Sequence, residues 1–165
     1  MLTRDDVFAV LEGVKDPEVP VLSVIELGVV RDVSVDDRGT VTVSVTPTYS
    51  GCPAMEVIEQ DILAALREHG VDDARIRTTF APAWTTDWLT DDAKRKLEAY
   101  GIAPPGPAPA GDDDLVPLRR LSEVVRCPYC RSLKTELRSE FGSTACKSIR
   151  FCNDCRQPFE QFKAI

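Results

Sequence analysis

A chain of 165 residues, 43% hydrophobic and 28% charged, suits one ordinary domain or a domain of about 110 residues with a small appendage, and excludes a large multidomain enzyme. No run approaches the roughly 18 consecutive apolar residues that a membrane-spanning helix needs. The opening MLTRDDVFAV is acidic where a secretory leader is basic, so a cytoplasmic protein with no membrane partner is expected. The net charge of −7 divides unevenly: residues 1–115 hold 22 Asp and Glu against 10 Lys and Arg (−12), and residues 116–165 hold 5 against 10 (+5). The acidic part repels a phosphate backbone; nucleic-acid binding is not expected, because it would rest on the basic tail alone.

The first helix is predicted to begin at Thr3, whose hydroxyl can cap free amides while Asp5 and Asp6 complement the positive helix end; Val7, Leu11 and Val14 share its apolar face. Asp16, Pro17, Glu18, Val19 and Pro20 stop it, since two prolines remove donors and push the preceding residues out of helical geometry. Val29 to Val35 and Thr40 to Val45 alternate around Asp36-Asp37-Arg38-Gly39 and predict a β-hairpin. A loop of Tyr49, Ser50, Gly51, Cys52 and Pro53 leads into a helix from about Ala54 to His69, with Met55, Ile58, Ile62, Ala65 and Leu66 inward and Gly70 as its stop. Arg75 to Phe80 reads as a third strand, and Thr90 with Asp91 and Asp92 opens a last helix ending at Tyr100 and Gly101. The order α, β, β, α, β, α implies an α+β domain over residues 1–103, with helices packed on a small sheet.

From Pro104 to Pro117, five prolines, two glycines and the triplet Asp112 to Asp114 predict an extended tether, residues 104–121. Residues 122–165 are too few to hold a core without a staple. CPYC at 127–130 and CNDC at 152–155 supply one: each CxxC turn presents two thiolates to one metal. Two such turns, 21 residues apart, complete the tetrahedral shell of Cys127, Cys130, Cys152 and Cys155 that Zn2+ favours, a four-cysteine zinc ribbon. With the ligand set closed, the ion is expected to be structural, its binding energy substituting for a missing core. A lone iron or a cluster also suits tetrahedral sulfur. Cys146 has two readings, a fifth thiol that replaces a ligand or exchanges, and a buried small hydrophobe.

Cys52 is the candidate reactive residue. Pro53 favours the first helical position, which places Cys52 at or beside the helix amino cap, where free amides and the helix dipole stabilise a thiolate. Thr46, Thr48 and Ser50 bring hydroxyls near, and Asp16 and Glu18 reach the same place if the early loop folds over the second helix. The alternative is that Cys52 merely packs, Asp16 caps its own turn and Glu18 is solvated. His69 sits at a helix end, where an imidazolium complements the carbonyl dipole. Trp84 and Trp88 read as core or partner contacts. Nucleotide-binding and hydrolase signatures are absent, as are paired ExxH motifs for a di-iron site, so no catalysis of its own is expected.

The runs DPEVPVLSVIELGVVRDV at 16–33 and TPTYSGCPAM at 46–55 resemble the SufT-like iron-sulfur assembly domain, whose signature is an acidic DPE loop and a Gly-Cys-Pro turn opening a helix. With PAWTTDWLT at 82–90, the tether and the CPYC, FGSTACKS, CNDC, PFEQFK tail, the chain is similar to the PaaD family, accessory D subunits of the phenylacetyl-CoA 1,2-epoxidase system. The resemblance implies a place in aerobic phenylacetate catabolism, where a di-iron oxygenase epoxidises the ring with electrons from a flavin and 2Fe-2S reductase. It also implies that the D protein matures metal centres of the oxygenase or reductase subunits, its expected partners. Carried over by motif, Asp16, Glu18 and Cys52, with Thr48 beside them, would handle iron or a transient iron-sulfur cluster, and the four tail cysteines would hold the resident metal. The competing expectation is a non-catalytic structural subunit of the epoxidase complex; a homodimer fits either.

Overall fold

The computed structural model describes residues 2–108 and 123–165, which form two compact units dividing between Trp84 and Thr85. In the first unit, α1 (Arg4–Leu11) opens on a reciprocal cap: Thr3 Oγ1 accepts from the Asp6 amide at 3.2 Å and Asp6 Oδ2 accepts from the Thr3 amide at 2.8 Å. Val7 and Leu11 are buried, and Val14 adds to the same core beyond the helix end. The following loop is part of the interior, with Val19, Leu22, Val24 and Leu27 all buried. Asp16 Oδ1 pins its first turn by accepting from the amides of Glu18 and Val19 at 2.8 and 2.7 Å.

Strands β1 (Val30–Val35) and β2 (Val41–Val45) pair antiparallel, and β3 (Ala74–Thr78) lies parallel to β2, giving the order β1-β2-β3. The hairpin turn closes through Gly39, whose φ of 82° is left-handed, and through Asp36 Oδ1, which accepts from the amides of Arg38 and Thr40. In β2 the alternation is regular, with Val41, Val43 and Val45 buried. In β1 the buried residues are Val30 and Val33, three apart, because the register slips between Val30 and Asp32 and the extra residue restores the facing. Helix α2 (Ala54–Glu68) bridges β2 to β3, burying Ala54, Ile58, Ile62 and Leu66. Trp84 closes the unit: it is buried, and its Nε1 donates to the Leu27 carbonyl at 2.9 Å.

The second unit begins earlier in the chain than the pattern of residues indicates. After a short 3-10 turn (Thr86–Trp88), α3 (Asp91–Tyr100) is capped by Thr90 and ends at Gly101, φ 93°. Two residues then form β4 (Ile102–Ala103), parallel to β7 (Pro158–Phe162), in a sheet ordered β4-β7-β6-β5 with β5 (Thr135–Ser139) and β6 (Lys147–Cys152). The Ile165 carbonyl accepts from the Thr86 amide at 3.0 Å and from Thr85 Oγ1 at 2.7 Å, tying the start of the unit to its end. Thus α3, expected within a first domain ending at residue 103, is built into the cysteine-rich unit by a two-residue strand too short to show in the sequence. Of the expected tether 104–121, residues 104–108 carry no regular structure and residues 109–121 lie outside the described residues.

Candidate functional site

The second unit gathers Ala103, Val125, Cys127, Cys152 and Phe159 into a small core, with Cys155 packed against it. Two like-built turns present its sulfurs. In the first, the Arg131 amide donates to the Cys127 carbonyl and the Cys127 amide to the Ser132 carbonyl, both at 2.9 Å; in the second, Arg156 donates to Cys152 and Cys152 to Gln157, both at 3.0 Å. Arg131 and Arg156, at φ 63° and 61°, turn the chain away through left-handed backbone. Between the turns, Ser132 Oγ donates to Asp154 Oδ2 at 2.6 Å and Lys134 Nζ lies 3.2 Å from Asp154 Oδ1. The Asn153 amide donates to the Lys134 carbonyl at 2.8 Å, so the residues after one turn grip the other.

The result is a cage. The sulfurs of Cys127, Cys130, Cys152 and Cys155 all lie within 4.8 Å of one another, with Cys127–Cys155 at 3.7 Å and Cys130–Cys152 at 3.5 Å. Four thiolates each about 2.3 Å from one tetrahedral ion stand about 3.8 Å apart, so the donor set fits zinc-type coordination. The cage sets the thiols against one another: hydrogen bonds from the Cys155 and Asp154 amides hold Cys152 down to about 7, whereas burial pushes Cys155 up to about 12. A divalent ion held by Cys127, Cys130, Cys152 and Cys155 would resolve the conflict by favouring the thiolate form of all four. Cys146 is outside the cage: it is buried, with its sulfur 3.1 Å from Thr144 Oγ1.

In the first unit, Cys52 is half-buried on the turn before α2. Pro53, expected at the first helical position, is instead the cap residue, so Cys52 stands one residue outside the helix; its carbonyl accepts from the Met55 amide at 3.3 Å. Proline lacks a side-chain acceptor, and α2 has no side-chain cap. The Thr48 hydroxyl lies 3.9 Å from the Cys52 sulfur, within hydrogen-bond range for sulfur, and Thr46 Oγ1 is buried with no partner among the described residues. Asp16, also buried, spends one carboxylate oxygen on its own turn, and Glu18 is half-buried on that turn. His69 is at the far end of α2, its Nδ1 2.8 Å from the Ala65 carbonyl.

Sequence reasoning missed the paired left-handed arginines and the Ser132–Asp154–Lys134 latch. It also missed a set of buried polar residues on β6 and β7, including Arg150, which is 1% exposed. Arg150 Nε donates to Gln161 Oε1 at 2.7 Å and Nη1 to the Glu123 carbonyl at 3.1 Å, so the buried cation is satisfied within the fold. The signal for the arginines was present, since each CxxC is followed directly by Arg.

Residues 4–77 match the model of the iron-sulfur cluster assembly protein family, and residues 111–163 that of the PaaD zinc β-ribbon domain. An Escherichia coli strain K12 protein, named for the D subunit of 1,2-phenylacetyl-CoA epoxidase, is 45% identical over 97% of this chain and 92% of its own. An Fe-S protein maturation auxiliary factor of Porphyromonas gingivalis is 36% identical over 58% of this chain and 90% of its own. The crystal structure of a DUF59 domain from Bacillus anthracis covers 57% of this chain and 90% of that one, with a TM-score of 0.54 and 28% identity. With its two matched domains in this order and a relative of this identity along nearly its whole length, the chain belongs to the PaaD family.

Proposed function

We propose that this protein is an accessory factor of a phenylacetyl-CoA 1,2-epoxidase system that matures or delivers iron or iron-sulfur centres of the oxygenase or reductase. The family assignment and the likeness to Fe-S protein maturation factors support an accessory role in iron-sulfur assembly. The observation that carries the finer reading is the half-buried thiol of Cys52, the sole cysteine of residues 1–84, beside the Thr48 hydroxyl on the turn into α2. An iron-sulfur cluster is held by about four protein ligands. One thiol offers a quarter of them, and the unit's single histidine is about 22 Å away along a helix rising 1.5 Å per residue. One thiol therefore suits cargo in transit between donors and a client. Asp16, Glu18 and Thr48 flank the handling site in this reading. The four-sulfur cage holds a structural Zn2+, and the location is the reducing cytoplasm, where CxxC thiols remain available to metal.

The test is to delete the gene, purify the oxygenase and reductase, and measure their iron and cluster occupancy, then complement with wild type or Cys52→Ser. Occupancy should fall on deletion and return with wild type alone. Full occupancy without the protein ends the maturation reading; occupancy restored by Cys52→Ser transfers the role to a structural subunit that orders the complex.

A further inference from the structure

We propose that the rim of the four-sulfur cage, formed by Arg126, Arg131 and Arg156 with Tyr129 and Leu133, docks a carboxylate-rich surface of the client protein. Arg131 and Arg156 each follow the second cysteine of a CxxC turn, and because the four sulfurs lie within 4.8 Å of one another both arginines border a single cage. Arg126 reaches the same place, its Nη1 donating to the Arg131 carbonyl at 3.4 Å. All three are exposed. The ion pairs of these turns join other residues, Lys134 with Asp154 and Arg138 with Glu136, and the three rim arginines have no carboxylate partner among the described residues.

The backbone of the turns points the same way. Both require φ near +60°, where glycine is at no disadvantage and a longer side chain is, yet both carry arginine. Arg156 lies over the Phe151 ring at 5.6 Å, which orients its guanidinium without neutralising it. Tyr129 and Leu133 stand beside the arginines at 56% and 54% exposure. Unpaired arginine forks around an exposed Tyr are the residue types that anchor protein interfaces, and a guanidinium pairs bidentately with carboxylate. Four thiolates around a divalent ion also leave a local charge of −2, which would repel an acidic surface unless cations stood in front of it. A phosphate polymer is the poorer fit, since the exposed Leu133 beside the arginines offers a phosphate backbone no polar contact but suits a protein surface.

The inference rests on the maturation reading for the identity of the client, and its test separates the two. Metal-loaded full-length protein is titrated into purified oxygenase and into purified reductase at low and high salt, as wild type, Arg131→Gly/Arg156→Gly, Arg131→Glu/Arg156→Glu and Cys52→Ser. Wild type should bind one client with affinity that falls as salt rises. The double glycine variant, relieved of its backbone penalty, should keep its metal and lose about 30-fold in affinity, and the double glutamate variant should lose more. Cys52→Ser should dock like wild type while failing to restore cofactor occupancy. The docking rim is overturned if wild type binds neither client, if it binds a DNA duplex or a second copy of itself more tightly, or if the glycine variant binds like wild type. Metal loss in the glycine variant overturns it too, by showing that the arginines serve the cage. Restored occupancy with Cys52→Ser removes Cys52 from the handling role and leaves a docking result standing.

Discussion

Stripping the metal from the cage should cost α3 its stability, although α3 is at least 26 residues from any cage cysteine in the chain. A ten-residue helix is marginal in water by itself, so its order depends on burying Ala93 and Leu97, both 0% exposed, and on β4, which continues from it into the sheet beside β7. Burying one leucine side chain contributes about 1.5–3 kcal/mol, a factor of roughly 10–100 in the equilibrium between docked and undocked helix. A structural Zn2+ contributes on the order of 10 kcal/mol to a domain of this size, comparable to the whole stability of an ordinary domain. Chelation should therefore unfold the sheet β4-β7-β6-β5 and release α3 with it. Hydrogen exchange read by NMR checks this. After chelation the amides of residues 94–97 should exchange at least about tenfold faster, while those of Val43 and Ile62 in the first unit keep their protection. Single-tryptophan variants give a second reading, because Trp84 belongs to the first unit and Trp88 to the second. If α3 stays protected after the cage is emptied, the helix belongs with the first domain, as its sequence pattern indicates, and β4 does not hold it.

Gly101→Ala should destabilise the second unit by about 1–2 kcal/mol, because its φ is 93° and the added methyl would meet the Tyr129 ring at 3.1 Å; thermal unfolding that matches wild type contradicts this. Gly142→Ala would place a methyl 2.8 Å from Glu160 Oε1, the acceptor of the Ser143 amide. Loss of that amide's exchange protection is expected, and an unchanged rate rejects the contact. Ile62→Ala, fully buried in α2, should cost the first unit about 2–5 kcal/mol in urea unfolding without moving the metal content; metal loss would show the two units to be coupled. With metal bound, an alkylating reagent should modify half-buried Cys52 well before buried Cys146, and mass mapping that finds the reverse order removes Cys52 as an accessible thiol.

The elements of the first unit are legible because each is announced by chemistry within a few residues of itself. Thr3 and Asp6 cap α1, Asp36 and Gly39 close the hairpin, and the spacing of Ile58, Ile62 and Leu66 makes one face of α2. The cage cysteines are legible for the same reason, since a CxxC turn is a local object. What misleads is non-local. The slip in β1 shows only against β2, and β4 is two residues whose partner lies more than fifty positions on. Pro53 stands one position earlier than expected, as the cap, although its φ of −69° and ψ of −21° are already helical, so its fixed φ suits either position and the residue type alone does not tell them apart. Arg150 and Lys163 are invisible as interior residues because their burial depends on Gln161, Glu123 and the Glu140 carbonyl, assembled from separate strands and loops.

The two thiol sites differ in the one respect that decides what each can do with a metal. Four sulfurs at mutual distances near those of a tetrahedron, gripped by paired turns and a Ser132–Asp154 bond, form a donor set that would leave a tetrahedral ion no open coordination position, which favours retention over exchange. A single sulfur with a neighbouring hydroxyl has the opposite property. One sulfur cannot by itself complete the shell of an iron or a cluster, so on the proposed reading cargo at Cys52 would take further ligands from flanking oxygens or from another molecule, and ligands of the latter kind would provide the route of departure. Retention and transfer call for different donor counts, and on the proposed reading the four-sulfur cage serves the first and Cys52 the second. Adding a second thiol beside Cys52 by Thr48→Cys should accordingly slow release of a reconstituted cluster to a client apoprotein, read by circular dichroism of the transferred cluster. Transfer as fast as wild type would mean that ligand count at Cys52 does not govern exchange.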